Sequence, residues 1–399
     1  MINKARILAA VVSATMLATA GCDDDNNNNN NTPVVTPTPA KPVVYGHRGA
    51  AGYLPDHTLE GYITGMALGA DYVEPDLVMT KDGVLVCRHE PNIGGTTDVA
   101  SHPEFADRKT TKMIDGGEVK DDWFVSDFSL AELKTLKARQ PIPDERPVIF
   151  DDKFSIPTFE EMIQTVQAEN QRLGKNVGII PEIKHSTFHA GIFGANKIED
   201  ETLRILNKYG YNKKESPAII QSFEVGNLQY LNSKTELRLV QLIDGWDVDK
   251  NGNMEVAETS LRPYDWTAAG KTDQDYRDMV TPAGLAEIKK YADIVGPWKP
   301  YLISSKQVDA NNDKKADDLN GDKIIDERDR VLLAPSDVVK NAHAAGLQVV
   351  PFTFRNEPRR LASDYKNDPK AEYKKFYELG VDGLFTDFVD TAVAARDDK

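Results

Sequence analysis

Eight short apolar runs constrain this chain more than any other feature. They fall at 43–47, 72–77, 178–183, 217–222, 238–243, 293–297, 347–353 and 382–386, and most are separated by helix-like segments. Apolar runs of this length between turn signals read as buried strands. In 158–172, Phe159, Met162, Ile163 and Val166 recur at helical spacing, with Thr158 as N-cap and Gly174 as stop. Strands alternating with helices build a parallel sheet, and eight of them predict an α/β fold of the (β/α)8 TIM-barrel type. Chemistry in such barrels gathers at the C-terminal ends of the strands. Charged residues stand there: His47 and Arg48, Glu74 and Asp76, Glu182 and Lys184.

A further apolar run, 84–89, follows Thr80-Lys81-Asp82-Gly83. Asp-Gly between two strand-like runs is a hairpin signal. A parallel crossover would need about a dozen residues or more, so this run returns antiparallel and lies outside the eight. With Asp82-Gly83 as a two-residue turn, Lys81 pairs with Val84. That register sets His89 opposite Asp76, with Glu74 one same-face step away.

The side-chain types suggest roles. Glu74, Asp76 and Glu182 offer carboxylate oxygens suited to a hard divalent ion. Arg48 and Lys184 supply fixed positive charge for an anionic substrate. His47 and His89 suit a general acid/base pair, with the two roles interchangeable at this level. Gln221, Phe223, Trp298 and Phe385 stand at other strand ends as candidates to line the pocket. His57 lies near the first strand as a supporting residue. His185 and His189 follow Lys184; packing or solvent is the favoured reading, with contact to substrate the alternative.

His47-Arg48-Gly49, Glu74-Pro75-Asp76 and Asp82-Gly83 with His89 resemble the motifs of the glycerophosphodiester phosphodiesterase family. Glu90 stands where that family usually has Asp. Pro181-Glu182-Ile183-Lys184, Gln221-Ser222-Phe223, Val240-Gln241-Leu242, Val295-Gly296-Pro297 and Leu384-Phe385-Thr386-Asp387 continue the resemblance to near residue 395. It is nearest to the periplasmic enzymes of Gram-negative bacteria. The resemblance implies a barrel over 43–395 and calcium or magnesium on the three acids. It also implies hydrolysis of glycerophosphodiesters, such as glycerophosphocholine, to sn-glycerol 3-phosphate and an alcohol. Attack by water directly, or by the substrate glycerol hydroxyl through a cyclic phosphate, both fit. The rival readings are a barrel phosphodiesterase of the lysophospholipase D type and a calcium-dependent surface-binding protein.

The ends and inserts add expectations. Lys4 and Arg6 precede an apolar stretch at 7–20, and Ala20-Gly21-Cys22 closes it. This is the pattern of a secretory signal, 1–22, with a lipoprotein cleavage box. It predicts an exported, periplasmic protein held to a membrane by lipid on Cys22. The Asp/Asn tract and Pro-rich segment of 23–42 form no core and read as a tether. Net charge is −15, which excludes nucleic-acid binding through a general basic surface. No protein partner is predicted. The chain has two cysteines; if Cys22 carries lipid, Cys87 is alone and reads as core.

Residues 90–157 are broken by Pro91, Gly94-Gly95, Pro103, Gly116-Gly117 and Pro141-Ile142-Pro143, so they read as an excursion over the barrel mouth. Residues 247–258 match a twelve-residue calcium loop, with Asp247, Asp249, Asn251, Asn253 and Glu258 as ligands and Gly252 at the sharp turn. Residues 309–329 carry a second such pattern in Asp318, Asn320, Asp322, Asp326 and Asp329, with Lys323 where Gly is usual. Any Ca2+ in these loops is expected to be structural.

Overall fold

In this computed structural model residues 41–257 and 260–398 are described; the signal with Cys22, the tether up to residue 40, and Glu258 lie outside them. The first barrel strand, Val43–Gly46, pairs in parallel with Gly383–Thr386 on one side and Tyr72–Val73 on the other. The second strand continues as Asp76–Met79, and the third as Gly178–Ile179 and then Glu182–Ile183. Each is interrupted at a proline, Pro75 or Pro181, which has no N–H to give the ladder. Ile219–Ser222, Arg238–Ile243, Ile294–Pro297 and Gln348–Val349 follow in parallel order. The N–H groups of Asp382 and Phe385 donate to Val349 and Pro351, and that of Phe354 donates to Phe385. These bonds join the seventh strand to the eighth and complete the ring.

Alternation along the strands sorts the core. Tyr45, Ile180, Ile219, Val240, Leu242, Ile294, Val350 and Phe385 fill the barrel interior. Val44, Val73, Leu77, Ile220 and Leu384 face outward into the larger core shared with the helices. The predicted helix forms as Phe159–Leu173, with a Thr158–Glu161 capping box and Gly174 left-handed at φ 62°. Cys87 is a buried free thiol, as expected. Among the described residues no helix is long and apolar enough to cross a membrane.

The hairpin register differs from expectation by one residue. Leu77 pairs with Cys87, Val78 with Val86 and Met79 with Leu85. Thr80 and Val84 close a three-residue loop in which Gly83 takes φ 81°. The extra loop residue sets Arg88 opposite Asp76 (N–H to Asp76 O, 2.9 Å), with His89 beyond the strand end. A one-residue slip exchanges the two faces of a strand. Arg88 therefore takes a buried place and donates to the carbonyls of Cys87, Asp56 and His57, fixing the loop that carries His57.

Residues 90–157 fold as short 3-10 turns, a hairpin of Thr110–Ile114 with Gly117–Asp122, and a short helix Leu130–Leu133. Ile93, Phe105, Trp123, Phe128 and Leu136 build a second core on Val78 and Val86. The two acidic inserts are joined: Arg330 donates to Asp249 O (2.6 Å), and the Gln307 N–H donates to Lys250 O (3.0 Å). Their side chains hold their own loops. Asp249 Oδ1 accepts from the Asn251 and Asn253 N–H groups, and Asp318 accepts from those of Gly321 and Lys323. Lys323 adopts φ 68°, the left-handed conformation that a glycine would take without strain.

Candidate active site

The register of the second and third strands places Asp76 beside Glu182. Glu74 projects to the same face two residues before Asp76, as strand alternation requires. Glu74, Asp76 and Glu182 each present an oxygen within 4.8 Å of the others, all buried. Gln221 donates to Glu74 Oε1 at 2.5 Å. His57 bridges Asp76 Oδ2 (2.9 Å) and the Tyr62 hydroxyl (3.0 Å). Asp76 Oδ1 is buried with no hydrogen-bond partner. Burial, then the charges of Asp76 and Glu182, raises the Glu74 carboxyl well above its ordinary range. Burial, with Asp76 adding and Lys184 opposing, pushes Glu182 up to about 7. Against its own burial, Asp76 is held low by His57, His89 and Arg48. Crowded carboxylates with an unpartnered oxygen fit a hard divalent ion, which would replace the repulsion by coordination.

His47 follows the first strand. Its Nδ1 is 2.5 Å from Asp387 Oδ1, and its Nε2 is 3.9 Å from Glu74 Oε2. Asp387 also accepts from Arg146 (2.5 Å) and Arg355 (3.0 Å). An Nδ1–H held by Asp387 turns Nε2 toward the three acids. Burial lowers the His47 pKa although Asp387 pulls it upward. His89 lies beside the Lys184–Glu182 pair, whose N–O distance is 2.9 Å. Its Nε2 is 3.3 Å from Lys184 Nζ, and its Nδ1 is 2.9 Å from Glu90. Burial, then Arg48 and Lys184, lowers it to about 3. Arg48, at φ 53°, donates to Asp56 at 2.8 Å and keeps its Nε 3.7 Å from Asp76.

These groups open on one cavity of about 540 Å³. Phe223, Tyr276, Trp298 and Phe352 also line it, together with Asp244. All four expected lining residues border it, but two sit beneath its surface. Gln221 is fully buried and serves Glu74. Phe385 is also buried and stacks on Tyr45 in the barrel interior. His185 does not face solvent: it borders the cavity between Glu90 (3.1 Å) and Asp115 (2.7 Å). His189 packs, buried, against Phe188 and Phe193. Among the described residues, Glu74, Asp76 and Glu182 are the group of acids that converges; the loop carboxylates of 247–257 and 309–329 do not.

Asp387, Arg146, Arg355 and Asp115 join the site in addition to the residues expected from sequence. Asp387 carried a signal, since it ends the eighth strand. Arg146 lies in the irregular insertion and carried none.

A closed barrel with two imidazoles and a carboxylate cluster at the C-terminal ends of its strands defines a barrel hydrolase. Residues 47–391 match the Glycerophosphoryl diester phosphodiesterase family, and the chain belongs to it. A glycerophosphodiester phosphodiesterase of Arabidopsis thaliana is 35% identical over 360 residues, covering 88% of this chain and 84% of the relative. One of Haemophilus influenzae is 33% identical over 370 residues, covering 88% of each. In fold, the chain is similar to a putative glycerophosphoryl diester phosphodiesterase of Silicibacter pomeroyi (TM-score 0.55, 17% identity, 90% of this chain and 95% of that one). It is also similar to a phosphodiesterase of Oleispira antarctica solved with the product sn-glycerol-3-phosphate (TM-score 0.54, 16% identity, 89% and 97%).

Proposed function

We propose that this protein hydrolyses glycerophosphodiesters to sn-glycerol 3-phosphate and an alcohol by general acid/base catalysis assisted by a divalent ion. One observation carries the reading: two imidazoles, each tied through Nδ1 to a carboxylate, stand at either end of the Glu74-Asp76-Glu182 cluster. Glu74, Asp76 and Glu182 would hold Ca2+ or Mg2+, which when bound polarises the phosphodiester and offsets charge on its oxygens. Arg48 and Lys184 orient the phosphate. One imidazole takes the proton of the attacking oxygen, and the other gives a proton to the departing alcohol. Phe223, Tyr276 and Trp298 with Asp244 offer aromatic faces and a negative charge, which suit a cationic alcohol such as choline.

The test is release of sn-glycerol 3-phosphate from glycerophosphocholine, after chelation and with calcium or magnesium restored. Ion-dependent release supports the reading. A folded protein that releases none with either ion contradicts it. His47→Ala and His89→Ala should each abolish turnover with the fold intact.

The pattern of 1–22 supports export with lipid on Cys22, and the protein would act in the periplasm at a membrane surface. Cys22→Ala should move activity from the membrane to the soluble fraction; unchanged membrane activity contradicts the anchor. The loop patterns of 247–258 and 309–329 support structural Ca2+. A melting temperature that rises with calcium in an Asp76→Asn variant, and not when Asp249 and Asp318 are also changed to Ala, would bear this out. No rise in Asp76→Asn would refute it.

A further inference from the structure

We propose that Glu90, His185 and Asp115 form a positioning chain from the insertion hairpin to the imidazole of His89, so that the hairpin helps to hold that imidazole for the reaction. This rests on reading His89 as an acid/base group.

The links are direct. His89 Nδ1 lies 2.9 Å from Glu90 Oε1, and Glu90 Oε2 lies 3.1 Å from His185 Nε2. His185 Nδ1 lies 2.7 Å from Asp115 Oδ2. All four side chains border the catalytic cavity. Each oxygen of Glu90 serves a different imidazole, so its carboxylate plane cannot turn without losing one of them.

Proton placement follows from donor and acceptor chemistry. His185 stands between two carboxylates, and both of its nitrogens donate when it is charged. Glu90 and Asp115, against burial, push its pKa up to about 10. Glu90 is then acceptor-only, and His89 must meet it with an Nδ1–H. The Nε2 lone pair of His89 is left toward Lys184 Nζ, 3.3 Å away, and toward the cavity.

The backbone gives an independent sign. His185 has φ 48° and Asp115 has φ 46°. A non-glycine residue in the left-handed region is strained by its Cβ. Both partners of the His185–Asp115 bond hold this conformation. One stands after the third barrel strand and the other at the turn of the hairpin formed by Thr110–Ile114 and Gly117–Asp122. Strain of this kind persists where the surroundings over-determine it. Here they bring the insertion to the barrel at His185, one of the two imidazoles that reach Glu90.

The experiment measures kcat and KM on glycerophosphocholine for the full chain and for H185A, D115N, E90Q and E90Q/H185A, with melting temperatures alongside. Loss of a partner that orients a functional group typically costs about 10–100-fold. H185A and E90Q are each expected to lower kcat about tenfold with KM within about twofold. D115N is expected to lower it by less. The double variant should lose about as much as the slower single, because both act through His89. H185A with kcat near wild type, or a double loss equal to the product of the singles, overturns the chain. If H185A does not fold, H185Q keeps a donor toward Glu90 and is expected to be slowed less than E90Q; an unslowed H185Q overturns the chain. Full activity in H89A would instead remove the acid/base reading beneath it, which separates the two failures.

Discussion

His47 and Asp387 lie 2.5 Å apart across the seam where the first barrel strand meets the last. Gly46 and Thr386 are register partners there, so the next residue on each strand faces the other at the barrel mouth. The pairing orients the imidazole and gathers Arg146 and Arg355 around one carboxylate. Asp387→Asn keeps the shape but neither fixes the tautomer nor balances the two guanidinium groups. We expect kcat to fall at least about a hundredfold with the fold retained, the range of one acid/base group. Steady-state kinetics within tenfold of wild type would refute the role.

Arg146 ties the insertion to this seam through Asp387, Glu357 (2.8 Å) and the Ala51 carbonyl (2.9 Å). Removing one partner of a buried ion pair costs about 3–5 kcal/mol. Arg146→Ala should lose that much in urea unfolding and slow turnover as well. A loss below about 1 kcal/mol would show the insertion to be loosely attached.

The acids of the cluster are held by neighbours as well as by strand geometry. Gln221→Leu removes the donor on Glu74, and outer partners of this kind are worth about 10–100-fold in ion affinity. Calorimetric titration with calcium and magnesium should show that weakening. Unchanged affinity would mean that Glu74 is not a ligand.

His185 gives a pH signature. Its folded pKa, about 10, exceeds its ordinary value. The native state therefore binds the extra proton between about 6.5 and about 10. This stabilisation is complete below about 6.5 and is lost as pH rises through the folded value. Glu90 is partly exposed, which screens the pair, so about 1.5 kcal/mol is expected. The stability difference between wild type and His185→Gln should be largest near pH 6 and shrink toward pH 10. A flat or rising difference would contradict the ion pairs.

Gly83 turns the hairpin at φ 81° with open space around it. Gly83→Ala should cost about 1–2 kcal/mol from backbone conformation alone and leave turnover unchanged. A change in kcat would indicate that the hairpin register had moved.

The strand ends were legible because a charged residue closing an apolar run is a local pattern. His47, Arg48, Glu74, Glu182 and Lys184 border the cavity for that reason, with Asp76 buried beside the two glutamates. The hairpin was legible as a hairpin, but not in register. Asp-Gly fits both a two-residue turn and a three-residue loop, and the choice falls to packing, which buries Arg88. Arg146 and Asp115 were not legible, because their meaning lies in partners 241 and 70 residues away. The two acidic inserts were legible as loops: Asp249, Asp318 and Asn320 side chains make turns of the kind the pattern implies.

The His47–Asp387 bond has a consequence for biosynthesis. The His47 imidazole is among the earliest barrel residues to leave the ribosome, and its carboxylate is among the last. Until the eighth strand emerges, the first strand has an open edge and His47 turns freely. A translation product that stops before residue 387 would carry almost every group of the site and still lack an oriented His47. Completion of synthesis and onset of hydrolytic competence are thereby coupled.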